Sequence, residues 1–201
     1  MHYKGVLSAL CAMVALPWLA SCDMPLGGGE ERVESAQNFP PADRPVAAVE
    51  STNWSTEEVR DRVNEAEEVM DAADVRTGMT VADIGAGDGY YTVRLALRVG
   101  EAGRVLAQDI VPEAIERLAD RVARERLDNV SLKLGAQDDP RLPEDSFDRI
   151  FMVHMYHEIA EPYAFLWRLR GALRDGGQVI IVDADRPVDK HGMPFRLLVC
   201  E

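Results

Sequence analysis

A glycine-rich loop at residues 85–89 constrains the fold of this chain more than any other feature. An apolar segment that contains Asp83 runs directly into three glycines at alternate positions, Gly85, Gly87 and Gly89. Because glycine has no Cβ, the backbone N–H groups of such a loop can approach a ligand closely. The N-terminus of the helix that follows carries a partial positive charge. The pattern therefore predicts a buried strand, a tight turn and a helix, with a small and partly anionic ligand at the turn.

Strand and helix patterns alternate along the rest of the chain. A capping box at residues 55–58 predicts a first helix through residue 73, and its apolar face carries Val59, Val63, Ala66, Val69, Met70 and Ala73. Further helices are predicted at residues 90–99, 112–126 and 162–174, and five strands at Thr80–Ile84, Arg104–Asp109, Val130–Leu134, Phe147–Val153 and residues 178–183. The alternation favours an α/β domain over residues 53–201, with a doubly wound, mainly parallel sheet flanked by helices.

Polar residues follow the predicted strands at their carboxyl ends, where ligands of such sheets bind. These positions are Asp83, Asp109, the turn at residues 135–139, His154 and Asp183. Asp109 follows Gly89 by 20 residues, and a carboxylate there can accept hydrogen bonds from two ribose hydroxyls. Dinucleotides and other nucleoside cofactors share that feature, although the Gly85-x-Gly87-x-Gly89 spacing departs from the dinucleotide pattern G-x-G-x-x-G.

Five segments in order resemble the motifs of one enzyme family. They are the glycine loop, Asp109, the Gly135-Ala136-Gln137-Asp138-Asp139 turn, residues 145–151, and the Leu173–Val179 stretch with its paired glycines. Together, over roughly residues 54–186, they are similar to class I S-adenosylmethionine-dependent methyltransferases, whose fold is Rossmann-like. The resemblance implies transfer of a methyl group from S-adenosylmethionine to an unidentified small-molecule or protein acceptor. Two alternatives remain: a non-catalytic, lipid-tethered binding domain with this fold, and a nicotinamide-dependent oxidoreductase.

The resemblance also implies a set of cofactor contacts. The backbone of the glycine loop would lie beside the methionine part, Asp83 would hold the ammonium directly or through water, Asp109 would take the ribose, and the 136–138 turn would meet adenine. Tyr90 or Tyr91 would face the sulfonium, since an aromatic face attracts a cation. Alternatively, Asp83 only caps the loop, and Asp138 is an ordinary turn residue. The predicted set is Asp83, Gly85, Ala86, Gly87, Gly89, Tyr91, Asp109, Ile110, Ala136, Gln137 and Asp138.

Candidate catalytic residues follow the fourth predicted strand. His154 is the preferred general base, followed by His157 and Glu158, because the imidazole pKa lies near neutrality. The alternatives are a structural hydrogen bond for His154 and a helix cap for His157. The H-x-x-H spacing lacks a third ligand, so no metal is predicted. His191 either borders the acceptor site or lies in a surface loop.

Composition narrows the partners. The net charge of −13 makes the chain a poor match for the phosphate backbone of a nucleic acid, so no nucleic-acid partner is expected. Outside the predicted signal and lipobox only Cys200 remains, so no disulfide is expected within the domain.

The N-terminal residues have the pattern of a targeting segment. Residues 1–21 read as a signal peptide, and residues 19–22 resemble a bacterial lipobox, which would leave Cys22 to carry a lipid that anchors the protein to a membrane. Residues 22–52 read as a flexible linker. This predicts a lipid-anchored protein of the bacterial cell envelope, with Asp23 favouring the inner membrane. An ordinary cleaved signal peptide, or a cytoplasmic protein that starts at Met24, is the alternative.

The C-terminal residues from Pro194 onward read as a helix. Class I methyltransferases usually have seven strands, so the resemblance predicts a domain that lacks its last helix and two strands in this sequence.

Overall fold

Six strands form one sheet in the order β3-β2-β1-β4-β5-β6 in a computed structural model of the chain. The structure describes residues 32–49 and 55–184, and residues 195–200 by their backbone alone. The predicted signal peptide, the lipobox with Cys22, and His191 lie outside the described residues. The strands are β1 (Thr80–Ile84), β2 (Arg104–Asp109), β3 (Val130–Leu134), β4 (Phe147–Val153), β5 (Leu173–Ala184) and β6 (Phe195–Cys200).

The first five strands are parallel, which confirms the predicted doubly wound architecture. Strand order reverses between β2 and β4 on either side of β1, so β1 lies at the switch point where ligands of such sheets bind. The glycine loop follows β1 directly.

Helices cover both faces of the sheet. They are α1 (Glu57–Arg62), α2 (Glu65–Ala72), α3 (Tyr90–Val99), α4 (Pro112–Glu125) and α5 (Pro162–Ala172). Neighbouring strand residues point to opposite faces: Phe151 packs in the core with α2 and α3, whereas Ile150 and Met152 pack in the core with α5. Burial on both faces is why the central strands read as nearly continuous apolar runs.

The first predicted helix is two helices in the structure. Asn64 adopts a left-handed conformation with φ of 53° and separates α1 from α2, which turns Val63 outward to 60% exposure. No residue of α1 is buried. Its N-cap is Thr56, with no side-chain capping bond, so the predicted capping box is wrong. Of the predicted apolar face, Val59 and Val63 are exposed, whereas the residues from α2 onward are buried as predicted: Ala66, Val69, Met70 and Ala73.

The C-terminal segment is also corrected. Residues 195–200 form a strand and not the predicted helix, and β6 pairs antiparallel with β5 from Val179↔Cys200 to Ala184↔Phe195. The segment satisfies hydrogen-bonding groups of β5 that face away from β4. The apolar pattern of a segment does not show which unpaired strand edge will lie beside it. Here pairing with the edge of β5 decides the conformation of residues 195–200.

Residues 32–49, which we call the arm, were assigned to the linker by sequence. In the structure they carry a 3-10 turn at Glu34–Ala36 and belong to the same compact unit as the sheet. Arg32 of the arm donates to Glu161 at the start of α5, with a separation of 2.6 Å from Nε to Oε1. Among the described residues, no helix is long and apolar enough to cross a membrane.

Candidate functional site at the carboxyl ends of the strands

The glycine loop and Asp109 form the centre of the site. Gly85, Gly87 and Gly89 all have positive φ, between 52° and 89°, a conformation that residues with a Cβ adopt only at a cost. This geometry lets the Gly87 N–H donate to Asp109 Oδ2 at 2.9 Å, while Val111 N–H donates to Oδ1 at 2.9 Å. The loop therefore lies against the carboxylate that ends β2, and each oxygen of that carboxylate has capacity for a second donor.

Asp83 is nearly enclosed, with 3% of its surface exposed. Thr92 Oγ1, on α3, donates to its Oδ2 at 2.6 Å. Burial raises the pKa of Asp83 to about 6, against the opposing effect of the Thr92 hydrogen bond. A buried carboxylate in this state gains from a nearby cation, which agrees with the predicted ammonium contact, although that contact stays a prediction.

The turn after β3 closes on itself. Ala136 N–H donates to Asp139 O at 2.7 Å, and Asp139 N–H donates back to Ala136 O at 3.2 Å. Asp138 is held from two sides, by Ser35 of the arm and by Arg168 of α5. Ala136 is half-buried and Gln137 is exposed. The turn thus presents the predicted adenine-binding residues next to the arm, a contact that sequence patterns did not indicate.

Gln108 was missed by the sequence reasoning. Its side chain is buried beneath the turn, and its Nε2 has no hydrogen-bond partner within the described part of the chain. A Cβ at Gly135 would lie 1.8 Å from this atom, so glycine is required there. The only sequence signal was the position of Gln108 beside Asp109 at the end of β2.

Both tyrosines at the start of α3 lie beside Arg60. Tyr91 is buried, stacks on Phe151 with ring centroids 6.3 Å apart, and donates its hydroxyl to Glu65 Oε1 at 3.2 Å. The Arg60 guanidinium lies 5.2 Å from its ring centroid and 3.8 Å from that of Tyr90. A protein cation thus lies near each ring, and the sulfonium contact stays a prediction.

His154, the preferred base, belongs to the same buried cluster. Its side chain is 8% exposed, and its Nε2 lies 3.1 Å from Glu65 Oε1. Although burial acts to raise the pKa of Glu65, hydrogen bonds from His154 and Arg60 lower it to about 2. His154 also has a φ of 56°, an uncommon backbone state that occurs often at functional sites. The ring is engaged with a carboxylate, a contact of the kind that the structural alternative describes, and a catalytic role for His154 stays a prediction.

His157, the second predicted base, pairs with a carboxylate of β5 and is more exposed than His154. It lies in a 3-10 turn, Tyr156–Glu158, after β4. Its Nδ1 is 2.8 Å from Asp183 Oδ1, and its backbone N–H donates to Asp183 Oδ2 at 2.9 Å. The carboxylate requires a proton on Nδ1, which leaves the Nε2 lone pair of the neutral ring as the acceptor. The side chain is 38% exposed, and Nε2 lies 4.0 Å from Glu158 Oε1, beyond hydrogen-bonding distance.

Asp183 is thus a site residue to which sequence reasoning gave no role. It directly follows the buried run of β5, much as Asp109 ends that of β2, and that position was the available signal. The hydrogen bond from Asp183 raises the pKa of His157 above its usual value, against the effect of burial.

The Tyr156–Glu158 turn, which we call the base turn, lies next to the glycine loop. A Cβ at Gly85 would lie 3.1 Å from Cγ of Met155, which immediately precedes the turn. The two histidines engage different carboxylates, and within the described residues no cluster of three His, Cys, Asp or Glu side chains is placed to hold a metal ion. The site therefore places the glycine loop, with Asp83 and Asp109, next to the His157–Asp183 pair. The two buried aspartates suit a ligand that carries a cation and a nucleoside.

Comparison with known proteins supports the same reading. A family model described as "Methyltransferase domain" matches residues 76–193. A protein-L-isoaspartate O-methyltransferase from Methanothrix thermoacetophila is 33% identical over 113 residues, which cover 56% of this chain and 51% of that protein. A ubiquinone/menaquinone biosynthesis C-methyltransferase, UbiE, from Salmonella arizonae is 26% identical over 126 residues, covering 59% and 48%. The matches thus span about half the length of these curated relatives.

A solved structure extends the likeness to the fold. The crystal structure of a SAM-dependent methyltransferase from Aquifex aeolicus aligns with a TM-score of 0.60 and 28% identity. The alignment covers 70% of this chain and 79% of that one.

Proposed function

The chain belongs to the methyltransferase-domain family, and from this premise we propose that it binds S-adenosylmethionine and transfers the methyl group to a small-molecule or protein acceptor. The observation that carries the proposal is the pairing of Asp109 with the Gly87 N–H at the switch point of the sheet. It sets the carboxylate that we propose binds the ribose against a loop whose backbone N–H groups can approach a ligand closely.

The residues present suit this cofactor chemically. S-adenosylmethionine offers an ammonium, a ribose diol, an adenine amine and a sulfonium, all of which are donors or cations. The chain offers Asp83, Asp109 and Asp138 at or just after the ends of neighbouring strands, and an ionised carboxylate accepts hydrogen bonds without donating any. When bound, the cofactor supplies an activated methyl group. The protein has to hold the acceptor in line with it.

The His157–Asp183 pair indicates an acceptor that arrives protonated. A hydroxyl or ammonium must lose a proton as it is methylated, and neutral His157 accepts that proton at Nε2 while Asp183 stabilises the imidazolium. The names of the two curated relatives specify an oxygen and a carbon acceptor, so they do not select the atom. We propose a hydroxyl or amine acceptor on the evidence of the base.

Isothermal titration calorimetry with S-adenosylhomocysteine tests cofactor binding without an acceptor. We expect saturable binding by the wild type, and at least about tenfold weaker binding by Asp109→Ala, because a charge-assisted hydrogen bond contributes about 1.5–3 kcal/mol. Asp120→Ala is the matched control, since that aspartate is exposed on α4. Equal affinity in Asp109→Ala and wild type would overturn the site assignment. Tighter binding of NADH in a parallel titration would favour the oxidoreductase alternative.

For localisation we propose that Cys22 is lipidated and that the domain faces the cell envelope, on the support of the lipobox-like residues 19–22. Mass spectrometry of the mature N-terminus tests this directly.

A further inference from the structure

The arm reaches the base turn through one side chain. Arg44 donates to three backbone carbonyls there: Nη2 to Tyr156 O at 2.6 Å and to Ile159 O at 3.1 Å, and Nη1 to His157 O at 3.0 Å. The guanidinium also lies 4.8 Å from the centroid of the Tyr156 ring. One residue of the arm thus holds the whole Tyr156–Glu158 turn.

Burial of its own residues does not stabilise the turn. It is only three residues long, and none of them is buried. The last carbonyls of a helical turn lack partners within that turn, and a 3-10 geometry makes weaker hydrogen bonds than an α-helix. The rigid fork of an arginine can satisfy several carbonyls at once, which a water molecule or lysine cannot do with the same geometry.

Hydrogen bonds consequently hold His157 from two sides. Asp183 accepts from its backbone N–H and pairs with Nδ1. On the other side, its carbonyl accepts from Arg44 and from the Ala47 N–H, the latter at 3.0 Å. With both the backbone and one ring nitrogen fixed, the direction of Nε2 is fixed as well.

We propose that Arg44 is a positioning residue for His157, which fixes the turn so that Nε2 is presented to the acceptor. The inference rests on the proposed function for its catalytic meaning. It makes the arm part of the active site, whereas the sequence reads as a tether at these positions.

The charged groups that face His157 are Asp183 from β5, Glu158 from its own turn and Arg44 from the arm. The two carboxylates raise the pKa of His157, and Arg44 lowers it. The carboxylates act on the imidazole ring of His157, whereas Arg44 acts mainly on the backbone of the turn. Substitutions at these positions therefore have distinguishable effects.

NMR titration of the His157 imidazole tests the proposal, with the resonance assigned by its loss in His157→Gln. In Arg44→Ala we expect the pKa of His157 to rise by about half a unit, because a cation at close range is removed. Amide exchange at Ile159, whose N–H donates to Tyr156 O, should accelerate several-fold. Arg44→Lys should keep the pKa near that of the wild type yet show the faster exchange. Asp183→Asn should shift the pKa in the opposite direction.

Arg32→Ala is the matched control, since Arg32 belongs to the same arm but binds Glu161. It should leave both observables at wild-type values. The proposal is overturned if Arg44→Ala matches the wild type in both observables, or if Arg32→Ala changes them as much as Arg44→Ala. Calorimetry with S-adenosylhomocysteine separates the two hypotheses, because absence of binding by the wild type refutes the proposed function while the titration still decides the role of Arg44.

Discussion

At the scale of single residues, Asp83 shows the clearest conflict between burial and ionisation of a side chain. A carboxylate that is fully enclosed opposes folding when it is ionised, and its raised pKa of about 6 expresses that cost. A functional group held in an unfavourable state is common where a ligand completes the site. The Thr92 hydrogen bond offsets only part of the cost.

The pH dependence of stability tests this conflict. Because the folded pKa of Asp83 lies above the unfolded one, the folded state binds more protons, and its contribution to stability falls as pH rises from about 4 to about 6. Asp83→Asn removes this dependence. In urea unfolding we expect the variant to gain up to about 3 kcal/mol over the wild type at pH 8, and to gain nothing at pH 4.

Measuring the difference between the variant and the wild type cancels the titration of other groups. Glu65, whose folded pKa is lowered to about 2, adds stability that is lost only below about pH 4.5. A difference that is constant between pH 4 and pH 8 would contradict the assignment of a buried, titrating Asp83. Weaker binding of S-adenosylhomocysteine by the variant would add evidence for the ammonium contact.

At the scale of elements, the junction between β1 and α3 depends on glycine for two separate reasons. Gly89, the N-cap of α3, has a φ of 89°, and a Cβ there would lie 2.4 Å from Cδ1 of the fully buried Leu118 on α4. The junction is therefore tied to the packing of α4 as well as to its own backbone conformation.

Gly89→Ala should cost more than Gly78→Ala. Gly78 has nearly the same φ, 88°, but no atom of the residues that the structure describes lies within 4 Å of the added Cβ. Each substitution carries about 1–2 kcal/mol of left-handed backbone strain, and overpacking against Leu118 adds about 1–3 kcal/mol for Gly89 alone. Equal losses of unfolding free energy in urea would show that Leu118 moves aside freely.

At the scale of the whole molecule, the arm connects the domain to the proposed lipid site. Arg32 follows Cys22 by ten residues, and a fully extended chain of that length spans at most about 35 Å. Lipidation of Cys22, as proposed above, would tether the domain to a membrane through these residues.

The mature N-terminus decides this arrangement. We expect mass spectrometry to find a chain that begins at a lipid-modified Cys22, and Cys22→Ser to abolish the modification. Cys11→Ser, within the predicted signal peptide, is the control that should leave it intact. A chain that begins at Met1 or Met24 would refute the localisation and leave the methyltransferase proposal standing.

The sequence by itself determined the features that depend on local pattern. The five parallel strands, the glycine loop and the acids at the strand ends follow from the periodicity of apolar residues and from glycine chemistry, and the structure confirms the strand arrangement. Only the tertiary structure decided the rest, because those features depend on contacts between distant segments. Glu65 engages His154 across 89 positions, Asp183 engages His157, and Arg44 grips a turn 112 positions away. A local pattern marks the glycine loop, the proposed cofactor site, whereas only folding brings together His157, Asp183 and Arg44.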